Sequence, residues 1–237
     1  MKKFVALILI AAMLASFAAC GSKNTEPATE AAQPAQNETN APAEAASSAD
    51  AAQNTDSNPA GEKKILTIYF SSANTSGVDV VSSATPDFGE YASTEQLAVY
   101  IHHAVGGDLA KITPANDYPT DYNGTADAAK TERDNDERPA FLPLDVNPED
   151  YDVIFVGYPI WWYTLPMIMY TFFDTYDFSG KTIIPFNTHA GSGNGGTYKT
   201  IAEFEPDATV LEGLPVSGGS ADKAENDVND WLAGLEF

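Results

Sequence analysis

Five short apolar runs, each followed by a stretch with helical periodicity, constrain this chain more than any other feature. The runs fall at residues 65–70, 108–113, 153–156, 181–187 and 209–216. The first helix follows Ser93 or Thr94 as cap, carries Glu95 and Gln96 in its first turn, and buries Leu97, Ala98, Ile101, Ala104 and Val105 before Gly106-Gly107 stops it. Further helices are expected at about 127–134, 166–173, 198–204 and 221–235. Strand–helix alternation repeated five times predicts an α/β three-layer sandwich, a parallel sheet with helices on both faces. Of the common doubly wound orders, five strands fit 2-1-3-4-5, whose switch point lies between strands 1 and 3. That order gathers three loops at one sheet edge: those after Phe70, after Gly157 and after Asn187.

The N-terminal quarter is of another kind. Lys2 and Lys3 precede an apolar run at 4–15, then Phe17-Ala18-Ala19-Cys20. The run is too short to span a bilayer as a mature helix, so residues 1–20 read as a signal peptide. A cysteine directly after two alanines is similar to the bacterial lipoprotein signal, which makes Cys20 the lipidated N-terminus and the protein extracytoplasmic and lipid-anchored. Residues 21–62 hold no aromatic residue and are rich in Ala, Asn, Gln, Glu, Thr, Ser and Pro. Such a segment buries too little apolar surface to offset its ordering entropy and is expected to be a disordered linker, with a reach of about 35 Å. One domain, 63–237, remains. Cys20 is the sole cysteine, which excludes a disulfide, a thiolate metal site and a cysteine nucleophile from that domain. The chain carries 12 basic and 34 acidic residues, and loss of Lys2 and Lys3 deepens the imbalance. Nucleic acid is excluded as a partner on that ground.

The three loops describe a ligand. The first begins Ser71-Ser72 and returns at Ser93-Thr94, with hydroxyls but no Lys or Arg between Ser71 and Thr94. Hydroxyls and backbone amides at a helix start suit a monoester phosphate. The second, Tyr158-Pro159-Ile160-Trp161-Trp162-Tyr163, follows a Gly-Tyr-Pro break expected to end the strand, and puts large aromatics where a ligand sits. One of the two tryptophans is expected to pack as core, because adjacent residues project in different directions. The third loop, Thr188-His189-Ala190-Gly191-Ser192-Gly193, lets backbone amides approach a ring edge. Gly191, Gly193 and Gly196 also spell the dinucleotide fingerprint, but that motif belongs to a first βα turn and these follow the fourth strand. His189 is either a donor beside the ligand or a structural loop histidine.

On these residues the domain resembles the flavodoxins, specifically those with a Tyr-Pro-Ile-Trp-Trp loop and a Thr-His-x-Gly-Ser-Gly loop. The likeness spans about 64–237 and includes Tyr118-Pro119-x-Asp121-Tyr122, the run Phe178-Ser179-Gly180-Lys181-Thr182-Ile183-Ile184-Pro185-Phe186, and Trp231-Leu232. It implies a flavodoxin-like fold and FMN as cofactor, its phosphate on Ser71, Ser72, Ser93 and Thr94. The ring would lie between Pro159, Ile160, Trp161, Trp162 and Tyr163 on one side and Thr188, His189, Ala190, Gly191, Ser192 and Gly193 on the other. Flavodoxins have a compact phosphate loop, whereas here about twenty residues separate Ser71 from Thr94. That insertion holds Asp79-Val80-Val81-Ser82-Ser83-Ala84-Thr85, which resembles the acceptor motif of bacterial flavin transferases, with Ser83 where glycine is more usual. The match implies covalent flavin on Thr85; the alternative is a chance match with FMN held noncovalently.

Flavin chemistry belongs to the cofactor, tuned by the protein. Aromatic stacking and an acidic surround both disfavour an anionic reduced flavin and lower its potential. The histidines are His102, His103 and His189, and no nucleophile–base–acid arrangement or metal-ligand set is visible, so neither catalytic residues nor a metal are expected. The leading expectation is a membrane-tethered, extracytoplasmic FMN flavoprotein in electron transfer, with a redox protein or small-molecule acceptor as partner. The alternative is an FMN-dependent quinone or small-molecule oxidoreductase, in which the polar stretch 115–148 covers the flavin and Tyr118, Tyr122, Arg133 or Arg138 meets substrate. The plainer reading of that stretch is a solvated connection. A third possibility is a flavin-binding lipoprotein for cofactor capture or sensing.

Overall fold

In the computed structural model, residues 63–72 and 91–237 are described. Cys20, the signal and linker segments and Thr85 lie outside them. The described elements are β1 (Ile65–Phe70), α1 (Ser93–Val105), β2 (Asp108–Ile112), α2 (Tyr122–Asp134), β3 (Val153–Pro159), α3 (Met167–Thr175), β4 (Thr182–His189), α4 (Thr197–Phe204), β5 (Thr209–Val210), β6 (Leu214–Ser217) and α5 (Glu225–Ala233). All pairings are parallel and the order is β2-β1-β3-β4-β5, with β6 also on β4. This is the flavodoxin-like order expected from the alternation.

Strand periodicity of two sorts the core. Leu66, Ile68, Phe70, Ile154 and Val156 pack on one face with Ile168, Met169 and Phe172 of α3, Ile201 of α4 and Ala129 of α2. Tyr69, Val153, Phe155, Ile184 and Phe186 pack on the other with Leu97, Ala98 and Ile101 of α1 and Val228 of α5.

Several boundaries differ from expectation, each for a physical reason. β3 does not end at Gly157-Tyr158-Pro159 but runs through it, pairing Gly157 with Phe186 and Pro159 with Thr188. Glycine serves there as a packing device: a Cβ on Gly157 would stand 2.2 Å from Phe186 Cζ. The last strand is split. Its carbonyl at Glu212 turns out of the ladder to accept the Trp231 indole N–H at 3.2 Å, and Gly213 returns so close that a Cβ would lie 2.3 Å from the Pro185 carbonyl oxygen. α5 is shorter than 221–235, because Gly218–Lys223 winds as a 3-10 turn before it. α2 is longer than 127–134, starting at Tyr122 because Asp121 caps it by accepting from the Gly124 amide at 2.9 Å. Neither Ser93 nor Thr94 is the cap of α1: Ala92 holds that position, with no side-chain hydrogen bond, and both hydroxyl residues sit inside the first turn.

Candidate functional site

Thr188 ties the three loops together. It is the penultimate residue of β4, and its hydroxyl lies 2.7 Å from the Thr94 hydroxyl in the first turn of α1. Its carbonyl accepts the Ile160 amide at 2.8 Å, fastening the aromatic loop. Ser71, Ser72, Ser93 and Thr94 are all buried at the end of β1 and the start of α1. A helix start whose cap residue has no side-chain acceptor, lined by hydroxyls, favours an anion by dipole and hydrogen bonding together.

The aromatic loop is a two-residue hairpin. Trp161 and Thr164 exchange both backbone hydrogen bonds at 3.0 Å, and the residues between them, Trp162 and Tyr163, have φ of 50° and 65°. Two consecutive positive φ values define the turn type that normally calls for Asn-Gly. Holding a tryptophan and a tyrosine there is costly, and such strain persists only where surrounding contacts over-determine it. Trp162 supplies them: its indole N–H donates to the Ala126 carbonyl at 2.9 Å, and the Arg133 guanidinium lies 5.4 Å from its ring centroid.

Trp161 turns the other way. It is 1 % exposed and packs edge-on against Phe70 at 5.3 Å and Tyr118 at 5.0 Å. The expectation that one tryptophan is core is met, and its place in the ring-facing set is corrected. The hairpin directs Trp161 beneath the sheet edge and leaves Trp162 and Tyr163, 39 % and 76 % exposed, to face outward.

The glycine loop is held from below. Asn187, fully buried, accepts from the Tyr198 hydroxyl at 2.7 Å and donates from Nδ2 to the Gly193 carbonyl at 3.1 Å. The Tyr158 and Thr197 hydroxyls pair at 2.8 Å beside it. His189 Nδ1 accepts the Gly191 amide at 3.0 Å, which fixes the neutral tautomer, and burial lowers its pKa in the same sense. The bond assigns a loop-bracing role to Nδ1 and leaves the other ring nitrogen as an N–H donor. Gly191 has φ of 110°, open only to glycine, and a Cβ there would meet nothing within 4 Å, so the loop leaves room against its backbone.

Between these loops lies a cavity of about 340 Å³ lined by Tyr122, Ala126, Ile160, Trp162, Tyr163, Ala190, Gly191 and Ser192. Six of the sequence-derived ring residues thus line one space, while Pro159, Trp161, Thr188, His189 and Gly193 stand outside that lining. Tyr122, expected only as a substrate contact, lines the ring cavity, and Ala126 beside it was not foreseen. The excursion that carries them leaves after β2 and returns through Ala115 N–H to Ala140 O at 2.9 Å and Leu142 N–H to Thr113 O at 2.8 Å. It is therefore a wall of the cavity rather than the solvated connection its polar composition suggested. Arg133 braces Trp162 from this wall, while Arg138 is engaged by Asp136 and Asp174 at 2.7 Å each. A second, polar cleft of about 390 Å³ lies behind α2, lined by Asn116, Tyr118, Glu132, Glu137 and Arg138 among others. Burial there raises the Glu132 pKa to about 7, against the opposing pull of the Tyr118 hydroxyl bonded to it at 3.0 Å.

These residues fit a flat, uncharged ring joined to a phosphate. The cavity falls within the volume range of small-molecule sites, about 300–1,000 Å³, and none of the described residues lining it is charged. The hydroxyl cluster at the start of α1 is two hydrogen bonds from that cavity's wall, Thr94 to Thr188 and Thr188 to Ile160.

Residues 64–235 match the family model described as Flavodoxin. Among solved structures, a chain from Bacteroides eggerthii described as a flavoprotein is 31 % identical over 73 % of this chain and 97 % of its own, with a TM-score of 0.56. A second, from Bacteroides uniformis, is 28 % identical over 72 % of this chain and 98 % of its own, with a TM-score of 0.57. A Lactobacillus acidophilus flavoprotein in complex with FMN is 20 % identical over 72 % and 99 %, with a TM-score of 0.51, and speaks for the fold. No curated protein matches the chain.

Proposed function

We propose, since the chain belongs to the flavodoxin family, that it is an FMN-binding redox flavoprotein tethered outside the cytoplasm by a lipid on Cys20 and serving in electron transfer. The cofactor is FMN, in keeping with the family and with the Lactobacillus acidophilus complex. The observation that carries the site is the Thr94–Thr188 hydroxyl contact of 2.7 Å, which with the Thr188 carbonyl on the Ile160 amide joins a phosphate-type hydroxyl cluster to a wall residue of a ring-sized aromatic cavity. When bound, FMN supplies reversible uptake of up to two electrons with accompanying protons. The chain's own residues do the rest. Ser71, Ser72, Ser93 and Thr94 hold the phosphate at the α1 N-terminus. Ile160, Trp162 and Tyr163 wall the ring on one side and Ala190, Gly191 and Ser192 on the other. Trp162, Tyr163 and Tyr122 limit water at it. The tether rests on the Lys2-Lys3, apolar run and Ala-Ala-Cys20 pattern of the sequence.

One experiment addresses cofactor and tether together. The full chain expressed in a bacterium is expected in the membrane fraction with one FMN released per protein, and Cys20→Ala is expected to move it to the soluble fraction with flavin retained. A soluble wild-type chain would sink the tether, and a colourless one the cofactor. On the phosphate side, Ser93→Ala is expected to weaken FMN about 10- to 100-fold, the worth of a hydrogen bond to a charged group, with riboflavin binding unchanged. Equal loss for both flavins by isothermal titration would remove Ser93 from phosphate binding.

A second reading, an FMN-dependent oxidoreductase of quinones or other small acceptors, draws on the α2 wall, because Tyr122 and Ala126 enclose the cavity mouth as a substrate pocket requires. Steady turnover of benzoquinone with a nicotinamide donor separates that enzyme from a carrier, which does not take electrons catalytically from a nicotinamide.

A further inference from the structure

Two features of the cavity call for an explanation beyond flavin binding. One is a hairpin turn whose two left-handed positions are occupied by Trp162 and Tyr163, both cavity-lining. The other is Arg133, 29 residues away in sequence, on the polar helix that contributes Tyr122 and Ala126 to the lining. The Arg133 guanidinium lies over the Trp162 ring at 5.4 Å, and its Nη1 reaches the Trp162 carbonyl at 3.5 Å. Its remaining nitrogens are occupied: Nε and Nη2 donate to Asp134 Oδ1 at 3.1 and 2.7 Å. Asp134 in turn takes Lys130 Nζ at 2.5 Å. Asp134 thus holds one edge of the guanidinium, while Nη1 and the central carbon reach the Trp162 carbonyl and ring. Trp162 is also pinned by its N–H on Ala126, four residues from Tyr122, so α2 grips the indole at both ends.

Resting on the flavin reading above, we propose that Arg133 is the positioning residue of the ring site. Through its contact with the Trp162 ring and carbonyl it holds the Trp162–Tyr163 turn in its left-handed conformation and joins the α2 wall to the loop that faces the ring. The role belongs to the forked guanidinium, which engages Asp134, the Trp162 carbonyl and the Trp162 ring at once, and not to charge alone. Asp134 takes up that charge beside it, and at an exposed site solvent and salt screen what is left. A lysine keeps the charge and loses the plane, and so does not replace it.

The test uses the full chain with Arg133→Gln and Arg133→Lys, read in two ways. In the flavin-free protein, the near-ultraviolet circular dichroism band of Trp162, assigned by its absence in Trp162→Phe, is expected to collapse in both variants while the thermal midpoint moves by no more than a few degrees. In titrations, both variants are expected to bind FMN and riboflavin about 3- to 10-fold more weakly, and by the same factor for each, because the ring side and not the phosphate side is disturbed. Wild-type affinity in Arg133→Lys would assign the effect to charge and overturn the proposal, as would unchanged affinity in both variants. A drop confined to FMN would do the same by locating Arg133 at the phosphate. A wild-type chain that binds neither flavin would remove the flavin reading, and the dichroism of the flavin-free variants would still decide whether Arg133 holds the turn.

Discussion

Trp161→Ala is expected to cost about 3–5 kcal/mol of stability, and Trp162→Ala about 1 kcal/mol, although the two residues are neighbours. Trp161 is 1 % exposed between Phe70 and Tyr118, and its removal opens a cavity at the junction of β1, the hairpin and the α2 excursion. At roughly 2–4 °C per kcal/mol for a domain of this size, the thermal midpoint should fall by about 10 °C. Trp162 loses a cation–π contact and one hydrogen bond at a half-open site, so the fold tolerates its loss. The cofactor does not: removing an aromatic wall is expected to weaken FMN roughly tenfold or more. Paired thermal melts and flavin titrations check both effects. Equal loss of stability in the two variants would contradict the assignment of one tryptophan to the core and one to the site.

The second large effect is expected at Asn187. Asn187→Leu keeps the volume but strands the buried Tyr198 hydroxyl, at about 1–3 kcal/mol, and the half-buried Gly193 carbonyl at less. The glycine loop then loses its brace from below, and both FMN and riboflavin should bind more weakly. Tyr198→Phe strands only Asn187 Oδ1 and should cost less. Because the three groups form one network, the double variant should lose less than the two single losses together. Strict additivity in urea denaturation would show that the network does not act as a unit.

Much of this architecture is legible without coordinates. The alternation of apolar runs with helical stripes, joined to the handedness rule for parallel crossovers, leaves few topologies, and the observed order is among the first of them. The same reasoning collects the loops after Phe70, Gly157 and Asn187 at one edge. What local pattern misjudged were boundaries set by distant partners. Gly157 and Pro159 look like breakers, yet remain in β3 because Phe186 fills the space over Gly157 and Thr188 pairs with Pro159. The single run at 209–216 divides because the Trp231 indole draws out the Glu212 carbonyl. The dinucleotide fingerprint was rightly set aside: its glycines shape a turn braced by Asn187 and His189.

From the sequence by itself come the fold class, the strand order, the three loops that meet and the chemical kinds they bring, hydroxyls to one side and aromatics to the other. These depend on periodicity, chirality and turn chemistry, all of which are local. Only the tertiary structure decided which tryptophan faces inward, that a polar helix walls the cavity, and that Asn187, Tyr198 and Arg133 hold it in shape. Those outcomes rest on contacts between residues far apart in the chain, Trp161 with Phe70 and Tyr118 and Trp162 with Arg133. Hydrogen-bond satisfaction and close packing settle them, and neither is written in the spacing of residues along the chain.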